Sequence, residues 1–304
     1  MGPLRPNTMT QLDAAYMVHR YDLAPDRDAL IDALAPRLTA IATRGDYRLD
    51  GALMRRLPNV GLIASSGAGY DAIDIESARS LRITVTNTPD AVSECVADTA
   101  WALILTTVRR TLPQDRHVRT GQWLQAPAPL TERVWGQRMG IIGLGRIGKA
   151  IARRGDAFRM DIAYHGRRQQ PDVRYRYYGN PVDLARDVKI LVVAIPGRSE
   201  TAGFVNRGII DALGPDGYLI NISRGSAIDE PYLVDALLGK RLAGAGLDVF
   251  ANEPHVPEAL FTLDNVVLQP HTGSGTHATR DAMGQMVVDN LAAWFAGEPL
   301  LSPV

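Results

Sequence analysis

The amino-acid sequence predicts an α/β fold built from doubly wound parallel sheets, and three observations carry that prediction. Short apolar runs that read as strands alternate with amphipathic runs that read as helices, the rhythm of parallel strands covered by crossover helices. Residues 188–195, Val-Lys-Ile-Leu-Val-Val-Ala-Ile, are almost continuously apolar, as a strand buried on both faces must be. A third run, Met139-Gly-Ile-Ile142, leads straight into Gly143-Leu-Gly-Arg-Ile-Gly148 and then into the helix-forming Lys149-Ala-Ile-Ala-Arg-Arg154.

In that third run Gly143 would permit the tight turn, Gly145 would let the backbone approach a pyrophosphate, and Gly148 would let helix and strand pack closely. The helix N-terminus would face the anion. The spacing is a weak signal by itself in a chain with 28 glycines. Its setting between a buried strand and a helix makes it a dinucleotide cradle.

A length of 304 residues suggests about two domains, and 46% hydrophobic residues suffice for a core in each. The 33 basic and 33 acidic side chains cancel, so no global field argues for nucleic acid or an anionic membrane as partner. Cys95 is the only cysteine, which excludes an internal disulfide framework and a cysteine zinc site and fits a reducing compartment. No leader-like apolar stretch opens the chain, and no segment reaches the ~18 uninterrupted apolar residues of a membrane span. A cytoplasmic location is therefore expected. No metal site, GxSxG elbow, Walker lysine pattern or His-Glu-x-x-His helix occurs.

Taken in order, residues 1–10, with Pro3, Pro6 and Asn7, read as a frayed lead-in. Strand-like and helix-like runs then alternate over residues 14–19, 26–38, 40–43, 49–57 and 60–64. Ser65-Ser-Gly-Ala-Gly-Tyr-Asp71 comes after a strand, and its small residues leave backbone N–H groups open to a carboxylate; read alone, it is equally a connecting loop. Residues 82–86 form another strand. Residues 91–110 are helical, with Val92, Val96, Trp101, Leu103, Ile104 and Val108 apolar. Polar residues and prolines over 113–131 then make a segment longer than an ordinary loop, which suggests an arm packing on a partner subunit.

Beyond the cradle, residues 160–164 read as the second strand of the nucleotide-binding half. An NAD-specific site places an acidic residue at its end, about 20 residues past the first glycine. Here the tip is His165-Gly-Arg-Arg168. A carboxylate is missing and two guanidinium groups are present, which suits a ribose 2′-phosphate; the alternative is a solvated basic turn. NADP(H) is thus the preferred cofactor and NAD(H) the alternate. Further strands over 188–195, 218–222, 243–250 and 266–268 deliver Arg224, Asp248, Glu253 and His271 at or beyond their carboxyl ends. Ligands of open α/β sheets bind there, so these residues should converge on one crevice. An amphipathic helix over 283–295 closes the chain.

A nicotinamide cofactor carries hydride chemistry and leaves the protein to hold the substrate and move one proton. Glu253 against His271 would fix the imidazole tautomer and stabilise its protonated form, making it a donor during reduction. Arg224 would bind the carboxylate and polarise the carbonyl of a 2-oxo acid. Each residue alone reads more often as a structural hydrogen bond or surface charge; three at consecutive strand ends after a cradle do not.

With these residues in place the sequence resembles the D-isomer-specific 2-hydroxyacid dehydrogenases, through Gly143-Leu-Gly-Arg-Ile-Gly148, Asn221-Ile-Ser-Arg-Gly225, Gly244-Ala-Gly-Leu-Asp-Val-Phe250, Asn252-Glu-Pro254 and Pro270-His-Thr-Gly-Ser274. Within that family it is most similar to glyoxylate/hydroxypyruvate and hydroxyphenylpyruvate reductases. The resemblance implies two Rossmann-like domains, with a cofactor domain (98–276) inserted in a substrate domain (1–97 and 277–304), an active site in the cleft between them and domain closure over the bound acid. It implies Arg224, Glu253 and His271 as the catalytic set, and Gly67, Ala68 and Gly69 as substrate-binding, with the Ala68 and Gly69 amides on the substrate carboxylate. Around the cradle it implies Arg146 and Ile147 as cofactor-binding beside the three glycines. Further along it implies Gly166, Arg167 and Arg168, then Ile195, Pro196 and Thr201. Ile222, Asp248 and Gly273 complete the set, with Asp248 on the nicotinamide carboxamide. A homodimer through the 111–135 arm and the cofactor domain is also expected. Thr272 and Gly275 stand where family members often carry Ile and Ala, which changes packing near the nicotinamide without removing a catalytic group. The activity implied is NADPH-dependent reduction of glyoxylate or hydroxypyruvate to the D-2-hydroxy acid. The alternatives are another D-2-hydroxyacid dehydrogenase, such as a hydroxyphenylpyruvate reductase, or a non-enzymatic dinucleotide-sensing scaffold.

Overall fold

Apolar periodicity resolves into two separate parallel sheets. The computed structural model describes residues 1–304, and the chain divides into two compact units, Met1–Val92 with Ser274–Val304, and Ser93–Gly273. These divisions lie slightly N-terminal of the expected 97/98 and 276/277.

The smaller unit contains α1 (Pro6–Ala15), α2 (Arg27–Leu34), β1 (Ala40–Arg44), α3 (Gly51–Arg55), β2 (Leu62–Ser66), α4 (Ile75–Ser80) and β3 (Thr84–Thr86). Its sheet runs β1-β2-β3, all parallel. Leu62, Ile63 and Ala64 of the central strand have no exposed surface. The short helices start by one device: Asp26, Asp50 and Asp74 each accept the backbone N–H three residues on. An aspartate N-cap contributes about 1 kcal/mol, which matters where a helix is only a turn or two long.

Helix α5 (Pro89–Val108) leads into the larger unit. By length and composition it is the one helix apolar enough to cross a membrane, yet 56% of its apolar window is buried inside the protein. Trp101 shows why: its indole stacks on Phe158 at 4.4 Å and donates to the Ile151 carbonyl at 3.1 Å. The chain continues through α6 (Thr111–Arg119), β4 (Arg138–Ile142), α7 (Arg146–Ala157), β5 (Asp161–His165), β6 (Arg176–Tyr178), α8 (Pro181–Asp187) and β7 (Ile190–Val193). Next come α9 (Arg207–Leu213), β8 (Tyr218–Asn221), α10 (Glu230–Leu238), β9 (Gly244–Leu247) and β10 (Val266–Leu268), after which α11 (His277–Ala296) belongs again to the smaller unit. The sheet order is β10-β9-β8-β7-β4-β5-β6, every pairing parallel. The chain starts at β4, winds outward to β6, crosses back to β7 and winds outward the other way. The reversal between β4 and β7 is a topological switch point, where ligands of such sheets bind.

The parallel α/β class stands as predicted; two local readings do not. Residues 1–10 are no frayed lead-in, because α1 begins at Pro6. Proline fits the first helical position, where no N–H is needed, and Thr8 and Leu12 are buried. Residues 14–19 form no strand: Ala14 and Ala15 finish α1. Tyr16 stacks on Phe295 of α11 at 4.9 Å, and Val18 packs with Leu12, Leu62 and Leu291. Their apolar surface serves helix packing instead of a ladder. Strand β6 and helix α8 lie between the segments recognised in the sequence. Beyond α6 the expected arm continues through a 3₁₀ turn, Gln122–Leu124, and leaves Trp123, Leu124 and Leu130 exposed.

Candidate active site

The glycine-rich turn occupies the switch point. Gly143 has φ of 97°, and a Cβ there would stand 2.6 Å from the Ala194 carbonyl oxygen beyond β7, so only glycine passes. A Cβ on Gly148 would meet the Gly143 oxygen at 2.2 Å, whereas one on Gly145 would meet nothing within 4 Å. The open side of the turn is therefore at Gly145. That residue is the N-cap of α7 and no side chain caps the helix, which leaves the first-turn N–H groups of Ile147 and Gly148 without intrahelical partners. Open space, uncapped amides and a helix dipole fit a pyrophosphate.

At the end of β5, Gly166 is half-buried while Arg167 and Arg168 are exposed. Neither guanidinium has an acidic partner or a hydrogen bond within the protein. Beyond β7, Ile195 and Pro196 begin a loop closed by Thr201, whose hydroxyl donates to the Pro196 carbonyl at 2.7 Å and accepts the Arg198 N–H at 2.9 Å. Ile222, beyond β8, is buried.

Asn221 ends β8 and shapes the turn into Arg224. Its Oδ1 accepts the Ser223 N–H at 3.0 Å and hydroxyl at 2.8 Å, and its amide donates to the Arg224 carbonyl at 2.9 Å. Asn221 is 1% exposed, so this local clamp is shielded from water. The Arg224 stem lies over Gly197, where a Cβ would come within 2.6 Å of Cγ. A Cβ on Gly225 would stand 1.8 Å from the Phe250 carbonyl carbon, so at Gly225 the loops after β8 and β9 approach backbone to backbone.

The loop after β9 carries Glu253. One of its oxygens accepts the Phe250 N–H at 3.0 Å, and Glu230 of α10 accepts the Ala251 N–H at 2.9 Å. The other oxygen of Glu253 meets His271 Nδ1 at 2.7 Å. A carboxylate only accepts, so Nδ1 carries the hydrogen and Nε2 is the nitrogen left to exchange a proton. Both side chains are part-exposed, 47% for His271 and 34% for Glu253.

His271 has φ of 52°, left-handed for a residue with a Cβ. Asp248 holds it there. Its carboxylate accepts the Thr272 and Gly273 N–H groups, each at 2.8 Å, and its own carbonyl accepts the His271 N–H at 2.8 Å. Burial pushes the Asp248 carboxyl above the usual carboxylate range; the two backbone N–H groups pull the other way and only partly offset it.

In the smaller unit, Ser65-Ser-Gly-Ala-Gly69 leaves the end of β2. Thr88 accepts the Gly67 N–H at 3.0 Å, and Asn87 donates to the Ala68 carbonyl at 2.8 Å. The half-buried Ala68 and Gly69 donate their own N–H groups to no protein atom. Glu230 is not singled out by the sequence, and Asn221 and Gly225 stand there only as the ends of the Asn221-Ile-Ser-Arg-Gly225 motif, with no role of their own. Asn221 alone carries a local signal, since Asn two residues before Ser at a strand end is an Asx-turn pattern.

A switch-point turn open to a pyrophosphate and a His–carboxylate pair, both at the carboxyl edge of one sheet, are what an NAD(P)-dependent oxidoreductase needs. Residues 101–273 match the family model for the D-isomer specific 2-hydroxyacid dehydrogenase, NAD binding domain, and the chain belongs to that family. It is 46% identical to a glyoxylate/hydroxypyruvate reductase of Arabidopsis thaliana over 100% of this chain and 97% of the relative. It is 45% identical, with the same coverage, to a hydroxyphenylpyruvate reductase of Plectranthus scutellarioides. Among solved structures it is similar to an NADPH-dependent glyoxylate/hydroxypyruvate reductase from Sinorhizobium meliloti in complex with NADP and malonate. The TM-score is 0.90 at 41% identity, covering 100% of this chain and 94% of that one.

The upward displacement of Asp248 has a testable sign. The folded chain holds this proton more tightly than the unfolded chain, so the group's contribution to stability is complete below its ordinary pKa of 3.8 and is lost as pH rises through the folded value. Asp248→Asn removes the titration. The stability advantage of the parent over the variant, from denaturant unfolding, should shrink over the interval in which pH rises above 3.8. An advantage that grows over that interval would contradict a carboxylate buried at a net cost.

Proposed function

We propose that this protein reduces small 2-oxo acids, glyoxylate and hydroxypyruvate first, to the D-2-hydroxy acids with NADPH. The observation that carries the reading is the 2.7 Å contact between His271 and Glu253, at the carboxyl edge of a sheet whose switch point fits a dinucleotide. The names of the Arabidopsis and Sinorhizobium relatives support the substrate class.

When bound, the reduced nicotinamide dinucleotide supplies a hydride. Gly143, Gly145, Gly148, Arg146 and Ile147 cradle its phosphates; Gly166, Arg167 and Arg168 take the ribose 2′-phosphate. On this reading Ile195, Pro196, Thr201, Ile222 and Gly273 line its nicotinamide half, and Asp248 accepts from the carboxamide. Arg224 holds the substrate carboxylate through its planar fork and draws charge toward the carbonyl oxygen. The unused amides of Ala68 and Gly69 serve as a second carboxylate-binding element. His271 gives the proton on Nε2 to the carbonyl oxygen as negative charge develops there. Glu253, anchored by the Phe250 N–H, keeps the ring oriented and stabilises its charged form.

A second reading keeps the reaction and enlarges the substrate to an aromatic 2-oxo acid, favoured by the 45% identity to a hydroxyphenylpyruvate reductase. We also propose a homodimer through residues 111–135, supported by the exposed Trp123, Leu124 and Leu130, an apolar set unusual for a free surface.

Loss of NADPH absorbance across a panel of 2-oxo acids tests the activity. Turnover with glyoxylate and hydroxypyruvate is expected, preference for hydroxyphenylpyruvate would select the second reading, and no oxidation with any acid would sink both. His271→Ala should lower kcat about a hundred- to ten-thousandfold while a fluorescence titration finds NADPH binding unchanged; wild-type turnover would remove the assigned role. In light scattering, the parent should have twice the chain mass and a Trp123→Glu/Leu124→Glu variant the mass of one chain, whereas a monomeric parent contradicts the dimer.

A further inference from the structure

Arginine side chains have wide rotamer freedom, so a pair of them selects a phosphate well only if the backbone carrying them is held. The loop carrying Arg167 and Arg168 is held at both ends. Where it leaves β5, the Tyr177 hydroxyl on the neighbouring strand β6 donates to the Gly166 carbonyl at 3.2 Å. His165 Nδ1 lies 2.9 Å from the Tyr178 carbonyl, and its ring stacks on Phe204 at 5.6 Å. Where the loop ends, the Gln170 N–H donates to the Tyr164 hydroxyl at 2.7 Å, and the Gln170 side-chain amide donates to the Leu144 carbonyl at 2.8 Å.

Leu144 is the residue between Gly143 and Gly145. The Gln170 amide therefore ties the arginine loop directly to the turn that faces the pyrophosphate. Tyr164, with no exposed surface, packs its ring against Tyr177 at 5.3 Å, so both tethers spring from one aromatic pair. None of these groups is needed to complete β5, whose ladder with β6 is made by backbone.

We propose that Tyr164, Gln170 and Tyr177 are positioning residues for cofactor selection. They fix the arginine loop against the glycine-rich turn, setting the separation at which a pyrophosphate and a ribose 2′-phosphate are read together. This rests on the assignment of Arg167 and Arg168 to the 2′-phosphate. The tethers act through the arginines and touch no reacting atom, so they affect NADPH binding and leave both the hydride step and NADH untouched.

The test is steady-state kinetics with both cofactors at saturating 2-oxo acid, on the whole protein, for Gln170→Met, Tyr177→Phe, Arg167→Ala/Arg168→Ala and the triple combination with Gln170→Met. Losing one such hydrogen bond should raise KM for NADPH about three- to tenfold, with kcat and KM for NADH within about twofold of the parent. In the arginine-free background Gln170→Met should have no further effect on KM for NADPH. Equal losses with NADPH and NADH, or a Gln170→Met effect that persists in full without the arginines, would overturn the proposal. If the arginine variant loses its NADPH preference while both tether variants keep theirs, the tethers are not positioning residues and the 2′-phosphate assignment survives. If removing the arginines leaves the preference intact, that assignment falls and the tether proposal falls with it. Tyr177→Phe, which deletes one hydroxyl, supplies the result should Gln170→Met fold poorly.

Discussion

A buried carboxylate sets the geometry on which the candidate site depends. Asp248 takes the N–H groups of Thr272 and Gly273 on its side chain and that of His271 on its backbone carbonyl, which keeps His271 left-handed with Nδ1 on Glu253. Such a turn carries strain of order 1–3 kcal/mol, and an ionised group away from water adds a further cost. Hydrogen bonds to a charged acceptor, about 1.5–3 kcal/mol each, are of the size that can hold it. The cost is consistent with a site in which orientation matters more than stability: with Nδ1 committed, only Nε2 is left for proton transfer.

The sheet supplies the rest by topology. Parallel strands all present carboxyl ends to the same edge, so β4, β5, β7, β8, β9 and β10 bring their succeeding loops to one side with no long connection. Each loop is then fixed by a polar device of its own. Thr201 closes the loop after β7, Asn221 clamps the one after β8, and Glu230 with Glu253 shape the one after β9. The aromatic pair Tyr164 and Tyr177 does the same for the loop after β5. Loops pinned in this way can carry charged groups that are unpaired at rest, as Arg167 and Arg168 are.

How much of this is legible in the sequence depends on the range of each interaction. Gly143 to Gly148 is legible because strand, turn and helix are contiguous. Arg224, Glu253 and His271 are legible as candidates because apolar runs mark the strand ends they follow. The Gln170 tether is not, since its acceptor lies 26 positions away and the contact exists only because β4 and β5 are neighbours in the sheet. Strand β6 is hidden by its composition, Arg176-Tyr-Tyr178, which suits an edge but lacks the apolar run that marks a central strand. Residues 1–10 mislead because proline and asparagine signal both loops and helix starts, and burial of Thr8 and Leu12 decides between them.

The central claim is that one carboxyl edge holds both the cofactor phosphates and the proton donor. A crystal structure of the protein with NADP and a non-reducible 2-oxo acid analogue tests it most directly. The account predicts His271 Nε2 within about 2.6–3.2 Å of the analogue's oxo oxygen, with Arg224 on its carboxylate and Arg167 or Arg168 on the 2′-phosphate. An analogue bound away from Nε2, with both arginines in solvent, would contradict it.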